Sequence, residues 1–190
     1  YILKKLFLSL LFGLRVNFIN HSGRSIYYYN NKSGIADISI EIDSSIFKKY
    51  KKRISVEGKD KTLLFFEGNG AANNYFINYS KDLRMILNTI NNKYVIYVKP
   101  HPTHGYSSFL DEYSVTILES YVPAEFIDLD EVSIVLGIES AAIALVKHKT
   151  KISMLDKFDF INEQVKEDFR DQLSELSQDS VFYLQNLNQL

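Results

Sequence analysis

From Thr62 onward, short apolar runs alternate with stretches whose apolar residues recur at helical spacing, and this alternation restricts the fold more than any other feature. Thr62 to Phe66 is the first strand-like run, closed by Glu67-Gly68-Asn69-Gly70. From Asn74 to Asn91, the residues Phe76, Tyr79, Leu83, Ile86, Leu87 and Ile90 fall on one face of a helix. Tyr94 to Val98 is apolar or aromatic throughout, which predicts a strand buried on both faces. Tyr106 to Tyr113 predicts a short helix, and Val115 to Leu118 a third strand. Pro123 is placed to open a short helix, because its fixed φ suits a first helical position. Val132 to Leu136 reads as a fourth strand, Ser140 to Lys147 as a helix, and Ile152 to Leu155 as a fifth strand. Residues 161–187 read as one or two charged, amphipathic closing helices. Strands alternating with helices imply βαβ units, so the expected class is α/β, a doubly wound parallel sheet with helices on both faces.

The chain before this region follows a different pattern. Ser25 to Tyr29 and Ile38 to Ile42 predict short strands, the second by its alternation of Ile38, Ile40 and Ile42, with turn chemistry in Asn30 to Gly34 between them. Lys48, Lys49, Lys51, Lys52 and Arg53 then lead through Gly58-Lys59-Asp60, a pattern read as a solvated basic linker. The expected division is 1–47, 48–60 and 61–190, with the last a complete domain. The chain opens at Tyr1 directly into an apolar run, so 1–47 is expected to be a truncated N-terminal segment. Leu6 to Leu14, after Lys4 and Lys5, falls short of the roughly 20 apolar residues of a membrane span. Arg15 and Asn17 stand where a signal peptide would carry small residues. A core helix is the first reading of this run. A helix lying on a membrane surface, giving peripheral contact, is the second.

Composition removes several function classes. With 22 Lys plus Arg against 23 Asp plus Glu, the net charge of −1 gives no general electrostatic reason to bind nucleic acid. The chain has no cysteine, which excludes disulfides, thiolate metal sites and cysteine nucleophiles. Its 4 histidines lack zinc-ligand spacing, so no metal and no cofactor is expected.

In open parallel sheets ligands lie outside the carboxyl ends of the strands. The expected strands end in Glu67-Gly68, in Lys99-Pro100-His101-Pro102, in Pro123-Ala124-Glu125 and in Gly137-Ile138-Glu139-Ser140. A cation, an imidazole, a carboxylate and a hydroxyl at a helix start are thus expected on one rim, a set suited to a nucleotide. Gly137 would let the backbone come close, and Ser140 would sit at a helix N-terminus that favours phosphate. A protonated His101 can bond a phosphate oxygen and give it a proton as it leaves, with prolines on both sides stiffening its loop. Glu125 can accept bonds from a ribose diol. Glu67 is assigned to its turn, and His21, His104 and His148 to structure or solvent.

The order of these motifs, over roughly residues 62–158, resembles the second half of bacterial sialyltransferases of the GT-B fold. These include the lipooligosaccharide sialyltransferases of glycosyltransferase family 52 and the capsular polysialyltransferases. The resemblance implies a GT-B C-terminal, Rossmann-like domain in which His101-Pro102 and Ser140-Ala141 meet the phosphate of CMP-sialic acid and Glu125 meets its ribose. It further implies a donor-binding set of Lys99, Pro102, Glu125, Gly137, Ser140 and Gly68, with His101 as the catalytic acid. The implied partners are CMP-sialic acid and a glycan acceptor of lipooligosaccharide or capsule, and the implied location is the cytoplasm, peripheral at the inner membrane. The parent reaction would be inverting and independent of metal. Ala141 departs from the family's Ser-Ser/Thr pair, and Asn30-Asn31 stands where its acidic motif would supply a base, so little transfer is expected from this chain alone. The alternatives are a CDP-glycerol glycerophosphotransferase-like envelope enzyme, which shares the Lys-Pro-His-Pro-like stretch, and a non-catalytic nucleotide-binding fragment.

Overall fold

The computed structural model describes residues 20–21, 24–25, 52–53, 61–69 and 73–190, with the backbone alone described at the first three pairs and at Glu125. The chain divides into two compact units, Tyr1–Ile46 and Phe47–Leu190. In the first, β1 (Asn20–His21) pairs antiparallel with β2 (Arg24–Ser25). Of the expected strand Ser25–Tyr29, only its first residue is described; the expected strand Ile38–Ile42, the turn Asn30–Gly34 and the apolar run Leu6–Leu14 lie outside the described residues.

Within the basic run 48–60, β3 (Lys52–Arg53) forms backbone pairs with the later strand Ile127–Asp128, in parallel register. The charges of this run therefore do not keep its whole backbone in solvent.

The remaining elements, in chain order, are β4 (Lys61–Phe66), α1 (Tyr79–Ile90), β5 (Tyr94–Lys99), β6 (Val115–Ile117), β7 (Ile127–Asp128), β8 (Ile134–Gly137), α2 (Ala141–Leu145), β9 (Lys151–Ser153), α3 (Glu163–Ser177) and β10 (Phe182–Tyr183). Short 3₁₀ turns fill Ser108–Glu112, Ala124–Phe126, Leu155–Lys157 and Leu187–Gln189. Six strands form one sheet in the order β10-β9-β8-β4-β5-β6, and every neighbouring pair is parallel. Numbered by their sequence within this sheet, the strands run 6-5-4-1-2-3, so the winding direction reverses between β4 and β8.

Alternation along the central strands explains why both faces are covered. Leu63 and Phe65 of β4, Ile96 and Val98 of β5 and Leu136 of β8 join one core with Leu83, Ile86, Leu87 and Ile90 of α1. Leu64 and Phe66, Tyr97 and Val135 join the other, with Ile143 and Ala144 of α2 and Leu173 of α3. Each fully buried Leu or Ile of α1 contributes about 1.5–3 kcal/mol of burial, and Leu87→Ala would cost about 2–5 kcal/mol.

Differences from the expected boundaries have local causes. The helix expected from Asn74 starts at Tyr79, because Phe76 bridges antiparallel to Phe160. Ile77 N–H donates to Asp159 O and Ile161 N–H to Tyr75 O, both at 2.9 Å. Phe76 and Tyr79 also pack their rings on Phe158. Pro123 precedes its turn in extended conformation instead of occupying the first helical position. The closing segment is one helix, α3, which ends where Gln178 and Asp179 take positive φ. The chain then turns back as β10 beside β9, a sixth strand where more helix was expected. Among the described residues, no helix is long and apolar enough to cross a membrane.

Candidate functional site

Because the sheet is parallel, the segments after β4, β5, β6 and β8 leave from the same rim. The reversal between β4 and β8 is the switch point at which open α/β sheets hold ligands, called the crevice below. Its two sides are Glu67-Gly68-Asn69 and Ile138-Glu139-Ser140.

The two sides touch. A Cβ at Gly68 would lie 2.1 Å from Glu139 Oε1, so the glycine leaves the space that the buried Glu139 carboxylate fills. Glu67 is buried as well. Its Oε1 accepts from the Tyr79 hydroxyl at 2.9 Å, and both of its oxygens accept the Ser107 N–H at 3.1 Å. Burial, with Glu67 and then Glu139 nearby, pushes the Tyr79 phenol well above its ordinary range, so it stays a protonated donor.

The sequence-predicted residues sit around this crevice in distinct ways. Lys99, at the end of β5, is buried, and its ammonium donates to Pro100 O and Ser120 O, each at 2.9 Å. Burial holds it below the ordinary lysine range. Lys99 thereby ties the loop after β5 to the loop after β6.

His101 follows on a compact turn. Its N–H and C=O both pair with Gly105, at 3.1 and 3.0 Å, and Gly105 sits at φ +72°, which a glycine adopts without strain. Inside this turn His101 Nδ1 accepts the Thr103 N–H at 3.3 Å and lies 3.0 Å from Thr103 Oγ1. A backbone N–H can only donate, so Nδ1 is the acceptor nitrogen and the neutral ring carries its proton on Nε2. The ring stacks on His104 with centroids 4.9 Å apart. Burial, then His104 and Lys99, push His101 below the usual histidine range, which favours the neutral form. Pro102 is exposed on the same turn.

Across the crevice, a Cβ at Gly137 would lie 2.6 Å from Ile143 Cγ2, so its close approach is made by α2. Ser140 precedes α2, but its side chain caps nothing, and the helix has 5 residues. So short a helix has little of the dipole that the sequence reading assigned to it. Ser153 Oγ donates to Ile138 O at 2.7 Å and accepts Leu155 N–H at 3.2 Å, fixing this loop to β9. Glu125 lies in the 3₁₀ turn 124–126, where Phe126 N–H donates to Pro123 O at 3.1 Å. Among the other histidines, His148 bonds Thr150 O and Val132 O, each at 2.9 Å, as a structural residue. The described residues contain no group of three or more His, Cys, Asp or Glu able to hold a metal ion.

Sequence reasoning missed Glu139, Tyr79 and Ser107, and it gave Glu67 only a turn. The usable signal was Glu67 itself, an acid placed directly after an all-apolar strand. No protein-family model, no curated protein and no solved structure matches the chain.

Proposed function

We propose that residues 61–190 are the donor-nucleotide half of a sialyltransferase-like glycosyltransferase, with the phosphate of CMP-sialic acid held beside His101. The observation that carries this reading is the placement of the His101 turn. It stands at the carboxyl end of β5, one strand from the crevice, closed by two backbone bonds and with its imidazole set as an Nε2–H donor. The family resemblance supplies the donor's identity, and the crevice supports it on physical grounds. Two buried carboxylates, Glu67 and Glu139, flank the position after β4 where many α/β proteins place a second phosphate. Acceptor oxygens there offer a second phosphate no donor, which disfavours a nucleoside diphosphate and suits a nucleoside monophosphate whose remaining groups are hydroxyls.

In the proposed reaction an acceptor hydroxyl attacks the anomeric carbon of sialic acid with inversion, and the bond to the CMP phosphate breaks. His101 Nε2–H bonds the departing phosphate. The phosphodiester's single negative charge opposes the effects of His104 and Lys99 and raises the imidazole pKa on binding; the second charge develops as the bond breaks, and His101 is then the acid that meets it. Lys99 shapes the turn through its two carbonyl contacts, and its field adds to the attraction for phosphate. Glu125 is the proposed ribose contact, and Gly68, Gly137, Ser140 and Pro102 are proposed to border the nucleotide. The cytoplasm, peripheral at the inner membrane, is the matching location. The acceptor hydroxyl gives its proton to a general base.

Calorimetric titration of the 190-residue chain with CMP, CMP-sialic acid, CDP-glycerol and UDP tests this reading. CMP and CMP-sialic acid should bind tightest. A tighter CDP-glycerol would favour the envelope-polymer alternative, and a tighter UDP would end the sialyl reading.

A further inference from the structure

The turn that carries His101 is closed by two backbone bonds between His101 and Gly105, so its orientation on the rim depends on how its stem is held. One strand of the stem is Lys99, whose C=O accepts the Glu67 N–H at 3.1 Å. The other is Ser107, whose N–H is gripped by both oxygens of the Glu67 carboxylate at 3.1 Å. One residue of the neighbouring strand end thus holds both legs of the turn, the first through its backbone and the second through its side chain. The Tyr79 hydroxyl, at the start of α1, bonds Glu67 Oε1 and fixes the carboxylate's rotamer. The carboxylate is buried, so water does not compete for these contacts.

We propose that Glu67 is the positioning residue of the catalytic turn: its carboxylate clamps Ser107 and so sets where the His101 imidazole stands on the rim. Glu67 touches neither His101 nor the reacting atoms. It acts through the stem, which sets how the turn seats on the rim and so how far the His101 ring is buried there. A second consequence concerns ligand specificity. Because the Glu67 carboxylate is engaged with Ser107 and Tyr79, the first loop of the sheet serves the neighbouring loop instead of cradling a phosphate.

Two variants of the whole chain separate this role from simple turn-filling. Glu67→Gln keeps the size of the side chain but cannot offer two acceptor oxygens to one N–H. Ser107→Pro removes the same contact from the other side: Ser107 has φ −70°, which proline adopts, and Glu67 keeps its bond from Tyr79. In each, the His101 ring is titrated by NMR, with Lys99, His104 and the Thr103 hydroxyl as the groups that face it, and exchange of the Gly105 amide is followed. The expected result is a His101 midpoint that rises toward the ordinary histidine value and faster Gly105 exchange. CMP affinity should fall about tenfold, as for loss of one charge-assisted contact. Where the two variants differ, or where Glu67→Gln does not fold, Ser107→Pro decides. An unchanged His101 titration and unchanged Gly105 exchange in Ser107→Pro would overturn the proposal. The CMP measurement alone rests on the proposed nucleotide role. Both NMR readouts need no nucleotide, so a wild-type chain that binds no CMP overturns that role and leaves this test standing.

Discussion

The loop after β5 and the loop after β8 border the same rim, yet different forces hold them. The first is built on hydrogen bonds: His101 with Gly105, Lys99 with two carbonyls, and Ser107 with Glu67. The second has the Ser153 bond to Ile138 O, but its distinguishing feature is close packing, with Glu139 filling the space beside Gly68 and Ile143 the space beside Gly137. Hydrogen bonds fix direction, and each adds only about 0.5–1.5 kcal/mol net. Packed contacts of this closeness leave no room for a further carbon. Changes in the first loop should therefore alter geometry and ligand binding at small cost in stability. Changes in the second should lower stability and leave the chemistry of His101 alone.

The largest expected effect falls on the hydrogen-bonded side. In the proposed transferase, His101→Ala should slow transfer by roughly 10²–10⁴, the contribution of a positioned general acid. In the 190-residue chain the same change should weaken CMP binding by about 1–3 kcal/mol, measured by calorimetry. Its urea unfolding midpoint should barely move. A large loss of stability would mean that the turn is part of the folded core, and the contrast between the loops would fail.

Next come the packed positions. Gly68→Ala places a methyl against the Glu139 carboxylate, which must move aside, and Gly137→Ala places one against Ile143; both are buried side chains. Each should cost about 1–3 kcal/mol by urea unfolding, the usual range for an overpacked core. The His101 titration should remain as in the wild type. A shifted titration would show that the two loops are mechanically coupled.

A smaller effect is expected in the pH dependence of stability. The native state holds His101 below its ordinary pKa, whereas the unfolded chain takes up its proton near pH 6.5. Below that pH the unfolded state binds more protons than the native one, so stability should fall with pH until the native imidazole titrates as well. His101→Ala should remove this part of the slope. A slope that is unchanged in the variant would assign it to other groups.

The smallest effect is expected from Thr103→Val. It deletes the hydroxyl beside His101 Nδ1 but keeps the backbone N–H that sets the tautomer. CMP affinity should change by no more than about threefold, since the lost contact is exposed. A greater loss would make the hydroxyl, and not the backbone, the group that orients the ring.

What the sequence determined by itself is what local pattern encodes. Uninterrupted apolar runs marked β4 and β5, because strands in the middle of a parallel sheet meet apolar neighbours on both faces. The three-and-four spacing marked α1, and the polar residues after each run marked the rim. His101 was legible because two prolines and a preceding strand restrict its loop within a few residues of sequence. Tertiary structure decided everything that depends on contacts between distant residues. Phe76 and Phe160 withdrew the first residues from α1, and β9 recruited Phe182–Tyr183 as a strand too short to show any periodicity. The strand order, and with it the crevice between β4 and β8, is set by which edges pair, and no local run records that. Glu67 shows the division most directly: its position after a strand is written in the sequence, but its partner Ser107 is 40 residues away. A side chain's chemistry is fixed by its identity, whereas the groups it must satisfy once water is excluded are chosen only when the sheet has formed.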